Sequence, residues 1–216
     1  MRVRRREPPT DPALVLLRSF CHELRPPVAT LTSLVRALEH QQTEGRREEL
    51  AQLAAAHVSH AEAVLQQAAA AAQGLAGPAD NHQPLHRVLP SVAATVPRER
   101  LDVEVSAAAA RCVVAPRHTR QILLNLLDNA ERYSPGAIRL SARTGWRRLR
   151  LTVSDEGSFT LDLARSLRRR TPPQGTKGLG LWVVRHLVAA QGGVIRARPL
   201  TPRGVAIEVC LPRRRR

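Results

Sequence analysis

Residues 125–134 read NLLDNAERYS, and the fold turns on what that stretch is for. Asn125 and Asn129 stand four apart, so on a helix both amides project from one face. Amide oxygens held that way suit a hard cation whose other ligands are phosphates and water, the set Mg2+ prefers. The same spacing also serves ordinary surface hydrogen bonding. Periodicity predicts a helix over residues 117–133, and its neighbours must decide between the two readings.

Downstream, VSDEGS (153–158) puts Asp155 at the end of an apolar strand and Gly157 two residues later. A carboxylate there can accept from an exocyclic amine such as that of adenine, and the glycine lets the chain turn close to a ligand. A plain turn leaving a strand accounts for it equally well. Next, GTKGLGLWVV (175–184) is a glycine-rich loop running straight into an amphipathic helix. Backbone N–H groups at such a junction form an anion site, to which Lys177 adds charge.

Around these lie strand signals. LDVEVSA (101–107) alternates, and AIRLSART (137–144) with RRLRLTVSD (147–155) alternates about Thr144-Gly145-Trp146 as a hairpin. A helix over 179–191 leads to a second hairpin, VIRARPL and VAIEVCL, turning at 201–204. Antiparallel strands with helices grouped between them predict a two-layer α/β sandwich.

The N-terminal part is different. Leu14, Leu17, Cys21, Leu24, Val28, Leu31, Val35 and Leu38 alternate by three and four, a heptad seam. Polar residues 40–49, with Gly45, break it. Ala54, Val58, Ala61, Leu65, Ala68, Ala72 and Leu75 then resume it on a second helix. The predicted fold class is therefore α+β. A basic tail (1–12) precedes a helical hairpin (13–76) that dimerises into a four-helix bundle. A linker (77–84), the sandwich domain (85–212) and a basic tail (213–216) follow.

Lys+Arg 34 against Asp+Glu 18 gives +16, yet the basic residues are scattered or terminal and no stacking aromatics interleave with them. No dedicated nucleic-acid role is predicted. Cys21, Cys112 and Cys210 share no disulfide or zinc spacing. With no apolar run long enough to span a bilayer and no secretory segment, the expected protein is soluble, cytoplasmic and without a membrane span.

Taken in order, CHELRPP (21–27), NLLDNAERYS, VSDEG and GTKGLGLWVV resemble the phosphoacceptor, asparagine and two glycine boxes of sensor histidine kinases of two-component systems. The resemblance covers nearly the whole chain. It implies an ATP-binding domain of the histidine kinase, gyrase and Hsp90 type, with ATP and Mg2+ as cofactors. It further implies a homodimer whose His22 is phosphorylated, with Glu23 orienting the ring and taking its proton, before transfer to an aspartate on a response regulator receiver domain. Asn129 matches the magnesium ligand and Asn125 its partner; Arg132 stands where a basic residue meets the phosphates, and Tyr133 where an aromatic packs on adenine. Asp155 matches the adenine carboxylate, with Gly157 beside it, and Gly178 and Gly180 match the hinge glycines after Lys177. Pro27 corresponds to the family's helix-bending proline.

The chain also departs from the family pattern. Phe159 replaces a second glycine, the segment from Gly157 to Gly178 is short, and Pro26 takes a place often held by a threonine or asparagine that assists phosphatase action. Little phosphatase activity is expected. Only about a dozen residues precede the first helix, so either a separate sensor protein delivers the signal or the chain is a core parted from its sensor. A dimeric scaffold or phosphotransfer module that binds nucleotide but turns over weakly is the alternative. A serine kinase sharing the nucleotide fold is disfavoured, having no use for the hairpin or its histidine.

Overall fold

In the N-terminal part of the computed structural model two long helices follow one another, α1 (Pro12–His40) and α2 (Glu44–Leu75). The structure describes residues 12–40, 43–75, 81–168 and 178–213. The chain divides into two units, α1 and most of α2 in the first and every described residue from 81 onward in the second.

Helix α1 runs unbroken through Pro26 and Pro27. Neither proline has an N–H to donate, so the carbonyls of His22 and Glu23 lose their helical partners. Buried residues of α1 recur at Phe20, Pro27 and Leu34, while Cys21, Val28 and Val35, one position on, are exposed. In α2 Val64 is buried, and Val58 and Leu65 are exposed. Residues 44–49, expected to interrupt the helices, are instead the exposed first turns of α2, with Gly45 inside it. Their polarity marks a solvated helical surface, not a loop.

The second unit opens with β1 (Gln83–Pro84), α3 (Leu85–Ala93), β2 (Leu101–Val105), the short α4 (Ala107–Ala110) and β3 (Val113–Val114). Then come α5 (Pro116–Tyr133), β4 (Ile138–Thr144), β5 (Arg148–Asp155), α6 (Leu161–Arg168), α7 (Leu179–Ala190), β6 (Val194–Pro199) and β7 (Val205–Pro212). Gln83 and Pro84, read as the end of a linker, pair with Val114 and Val113.

Five strands form one sheet in the order β2-β4-β5-β7-β6. It is mixed, since β2, which lies outside the two antiparallel hairpins read from the sequence, pairs parallel with β4. Alternation reports which face a residue takes but not strand direction. Direction here follows from the crossover through α5, which a parallel pair requires.

One face of the sheet carries the core. Ile138, Leu140, Leu149, Leu151, Ile207 and Val209 meet Ile122, Leu123, Leu126 and Leu127 of α5 and Leu187 of α7, all at most 2% exposed. Each such side chain contributes about 1.5–3 kcal/mol on burial. The other face is open and charged, and Asp102–Arg139, Glu104–Arg143 and Glu208–Arg150 pair across neighbouring strands.

Candidate functional site

Helix α5 is the spine of the site. Its inward stripe, Ile122, Leu126 and Ala130 among others, is fully buried, which fixes the rotation of the helix and brings Asn125 and Asn129 to the half-buried edge of that stripe. Asn125 is engaged at both ends of its amide: Gln121 Nε2 donates to its Oδ1 (3.1 Å), and its Nδ2 donates to the Gly180 carbonyl (3.4 Å). That second bond ties α5 to the glycine-rich start of α7. Asn129 differs, because no described residue hydrogen-bonds its side chain.

Two turns beyond Asn125, about 12 Å at 1.5 Å per residue, α5 ends at Tyr133, which is 56% exposed. Arg132 lies outward in an exposed ion pair with Asp128 (3.1 Å).

Here β5 delivers Asp155, at the inward-pointing end of its alternation and only 9% exposed. Its Oδ1 accepts from the Gly157 N–H at 2.6 Å. Burial raises the carboxyl above its ordinary value, and the Gly157 N–H offsets part of that rise. A Cβ at Gly157 would lie 2.6 Å from Asp155 Oδ1 and 3.1 Å from the Tyr133 carbonyl, so only glycine closes this turn.

Reading residues by type did not reveal what braces that turn. Ser134, 2% exposed, accepts on Oγ from the Glu156 N–H (3.2 Å) and the Gly136 N–H (3.3 Å). Arg100 donates to the carbonyls of Ser134 (2.6 Å) and Gly136 (3.1 Å). Ser134 closes the opening motif, which was a signal of sorts; Arg100 and Gln121 carried none, because their partners are visible only in space.

The glycine loop is described from Gly178 onward; Lys177 lies outside the described residues. Gly178, with φ of 84°, is the left-handed residue that starts α7, a conformation that costs other residues 1–2 kcal/mol. Between Gly157 and this point α6 is an exposed helix, and Phe159 precedes it at the surface.

The structure thus gathers Asn125, Asn129, Tyr133, Asp155, Gly157, Gly178 and Gly180 around one helix. In the other unit His22 is exposed on α1, beside Glu23, whose side chain is outside the described set. Among the described residues no group of three His, Cys, Asp or Glu side chains could hold a metal, and no described helix is long and apolar enough to cross a membrane.

Residues 114–215 match the family model described as histidine kinase-, DNA gyrase B-, and HSP90-like ATPase. That stretch is an ATPase domain of the histidine kinase catalytic type. The ATPase domain brings a characteristic architecture with it, an α+β fold with helices on one face of a mixed sheet, preceded here by N-terminal helices. Solved sensor kinases share it. The full-length ShkA structure in complex with AMPPNP is 25% identical with a TM-score of 0.61, covering 94% of this chain and 46% of that one. The Acinetobacter baumannii histidine kinase AdeS, 19% identical, gives 0.64 over 90% of this chain and 98% of its own, a likeness of fold. An adaptive-response sensory kinase SasA from Synechococcus sp. (strain JA-3-3Ab) is 31% identical over 141 residues, 59% of this chain and 36% of that protein. The chain therefore spans about a third of that curated relative's length.

Proposed function

We propose that this protein is an ATP-dependent protein-histidine kinase that phosphorylates itself on His22 and passes the phosphoryl group to an aspartate of a response regulator receiver domain. The observation that carries the reading is the convergence on α5 of Asn129, Asp155 with Gly157, and the glycines that begin α7. They lie in a domain of the right family, on the same chain as an exposed helical histidine that a glutamate follows in sequence.

The donor set fits a magnesium nucleotide. Asp155, held as an acceptor by its buried turn, takes the adenine amino group, and Tyr133 covers the base. The amide of Asn129, without a hydrogen bond among the described residues, would supply an oxygen ligand to Mg2+. Asn125, already tied to Gln121 and Gly180, acts as the strut that fixes the α7 terminus. That terminus directs free first-turn N–H groups at the phosphates, joined by Lys177. Arg132 reaches them only by leaving Asp128.

ATP supplies the phosphoryl group, and ADP leaves as the new N–P bond forms. His22 contributes the attacking imidazole nitrogen, and Glu23 takes its proton. The carbonyls freed by Pro26 and Pro27 loosen the helix just beyond the acceptor. Catalysis is chiefly positioning and charge neutralisation.

The exposed positions Cys21, Val28 and Val35 of α1 and Val58 and Leu65 of α2 are the face on which a second copy completes a four-helix bundle. The region boundaries read from the sequence, with the ATPase domain over 85–212, belong to this proposal. A second reading, a nucleotide-binding module with weak turnover, is favoured by Phe159 and the short α6 segment.

Incubation with Mg2+ and γ-labelled ATP tests the proposal. The wild-type chain is expected to take up label, and Asn129→Ala and Asp155→Asn to lose it by at least about tenfold. Nucleotide binding without any labelling would support the second reading.

A further inference from the structure

At the end of the sheet opposite Asp155 lies a cavity of about 1090 Å3 whose rim carries Arg111, Arg147, Arg148, Arg213 and Trp146. Register fixes its place. Asp155 pairs with Ile138 and Val205 at one end of β5, and Leu149 pairs with Thr144 and Leu211 at the other. That separation is roughly 20 Å at about 3.3 Å per residue, so the cavity is distinct from the nucleotide site.

Among the described residues nothing compensates its charge. Three arginines elsewhere on the sheet are matched with acids, in Arg139–Asp102, Arg143–Glu104 and Arg150–Glu208. None of the four rim arginines has an ion pair with a described residue, and no carboxylate lines the cavity. Crowding four like charges is unfavourable unless an anion joins them. The rim backbone is also tied together, since the Arg213 N–H donates to the Arg147 carbonyl (2.9 Å) and the Gly145 N–H to the Arg148 carbonyl (2.9 Å). Trp146, in the turn between β4 and β5, is 88% exposed, an apolar surface with nothing covering it among the described residues.

We propose that this cavity binds an acidic segment of a partner protein, with carboxylates on the arginines and an apolar side chain against Trp146. Trp and Arg are the residue types that dominate protein–protein hot spots, and planar guanidinium forks match carboxylates. The volume exceeds what a single phosphate ion would fill. Single-stranded nucleic acid fits less well, because its recognition uses successive stacking aromatics and the rim has one. The proposal is independent of the kinase reading.

The test titrates the full chain with a short peptide of glutamates interrupted by single leucines, and in parallel with oligouridylate. The difference in fluorescence between the wild type and Trp146→Phe isolates the exposed indole, because the other tryptophan, Trp182, is buried. Peptide binding is expected to shift Trp146 emission, to weaken with added salt, and to fall at least tenfold in the double variant Arg147→Glu/Arg148→Glu. ATP affinity should remain at the wild-type level in that variant, and Arg98→Glu, on the turn before β2, should bind peptide like the wild type. Absence of a peptide response, binding that survives the double variant, or tighter binding of oligouridylate than of peptide would overturn the proposal.

Discussion

Asp155 gives up stability so that its site can work. Its carboxyl is raised from 3.8 because burial disfavours the charged form. Between that ordinary value and the raised native one, the folded chain holds a proton that the unfolded chain has released. Stability therefore falls as pH rises through this window and stays lowered above it. Asp155→Asn keeps an oxygen for the Gly157 N–H and removes the buried charge. Its melting temperature is expected to equal or exceed that of the wild type at pH 7, with the difference closing as pH falls below 3.8. ATP affinity should fall about 10–100-fold, the cost of a hydrogen bond to a charged group; calorimetry at both pH values checks both parts. Ser134→Ala would leave the N–H groups of Glu156 and Gly136 unbonded and is expected to cost about 1–3 kcal/mol, measured by urea unfolding. Asp155 and Asn129 could be singled out because a strand end and a helical spacing are local patterns, while the roles proposed for them rest on the order of the motifs. Ser134, Arg100 and Gln121 could not, because their partners come together only on folding.

Among the elements, the β5–β7 pair holds the site. Gly204, with φ of 120°, begins β7, and a Cβ there would lie 2.5 Å from the Asp155 carbonyl. Gly204→Ala is expected to destabilise the ATPase domain by about 2 kcal/mol or more, combining backbone strain with a clash against backbone. The accompanying loss of nucleotide affinity would show that β7 sets the position of Asp155; unchanged melting would show that the turn relaxes. Strands β2, β4, β5, β6 and β7 were readable from alternation, and α5 and α7 from periodicity. The parallel β2–β4 pair was not, since direction is a property of connections. Helix α3 shows Leu85, Val88, Leu89 and Val92 at helical spacing, but its nine residues were too short to stand out between turn-forming stretches. Gly45 misled because glycine is tolerated in an exposed first turn, where it costs only about 1 kcal/mol against alanine.

In the whole molecule an ATPase domain of the histidine kinase type follows a helical unit that presents an exposed histidine. The exposed stripe of α1, with Val28 at 53% and Val35 at 52%, predicts a dimer. Val28→Glu/Val35→Glu is expected to sediment as a monomer at concentrations where the wild type sediments as a dimer. An unchanged species would place the dimer face elsewhere. The order of the boxes made this union legible in the sequence, whereas the acidic-partner cavity was hidden because Arg111, Trp146 and Arg213 meet only through the sheet. The central claim is that phosphoryl transfer ends on His22. The most direct measurement is the acid stability of the label taken up from γ-labelled ATP with Mg2+, compared between the wild type and His22→Gln. The account predicts label that is lost in acid, kept in base and absent from His22→Gln; label that survives acid, or that persists in His22→Gln, would contradict it.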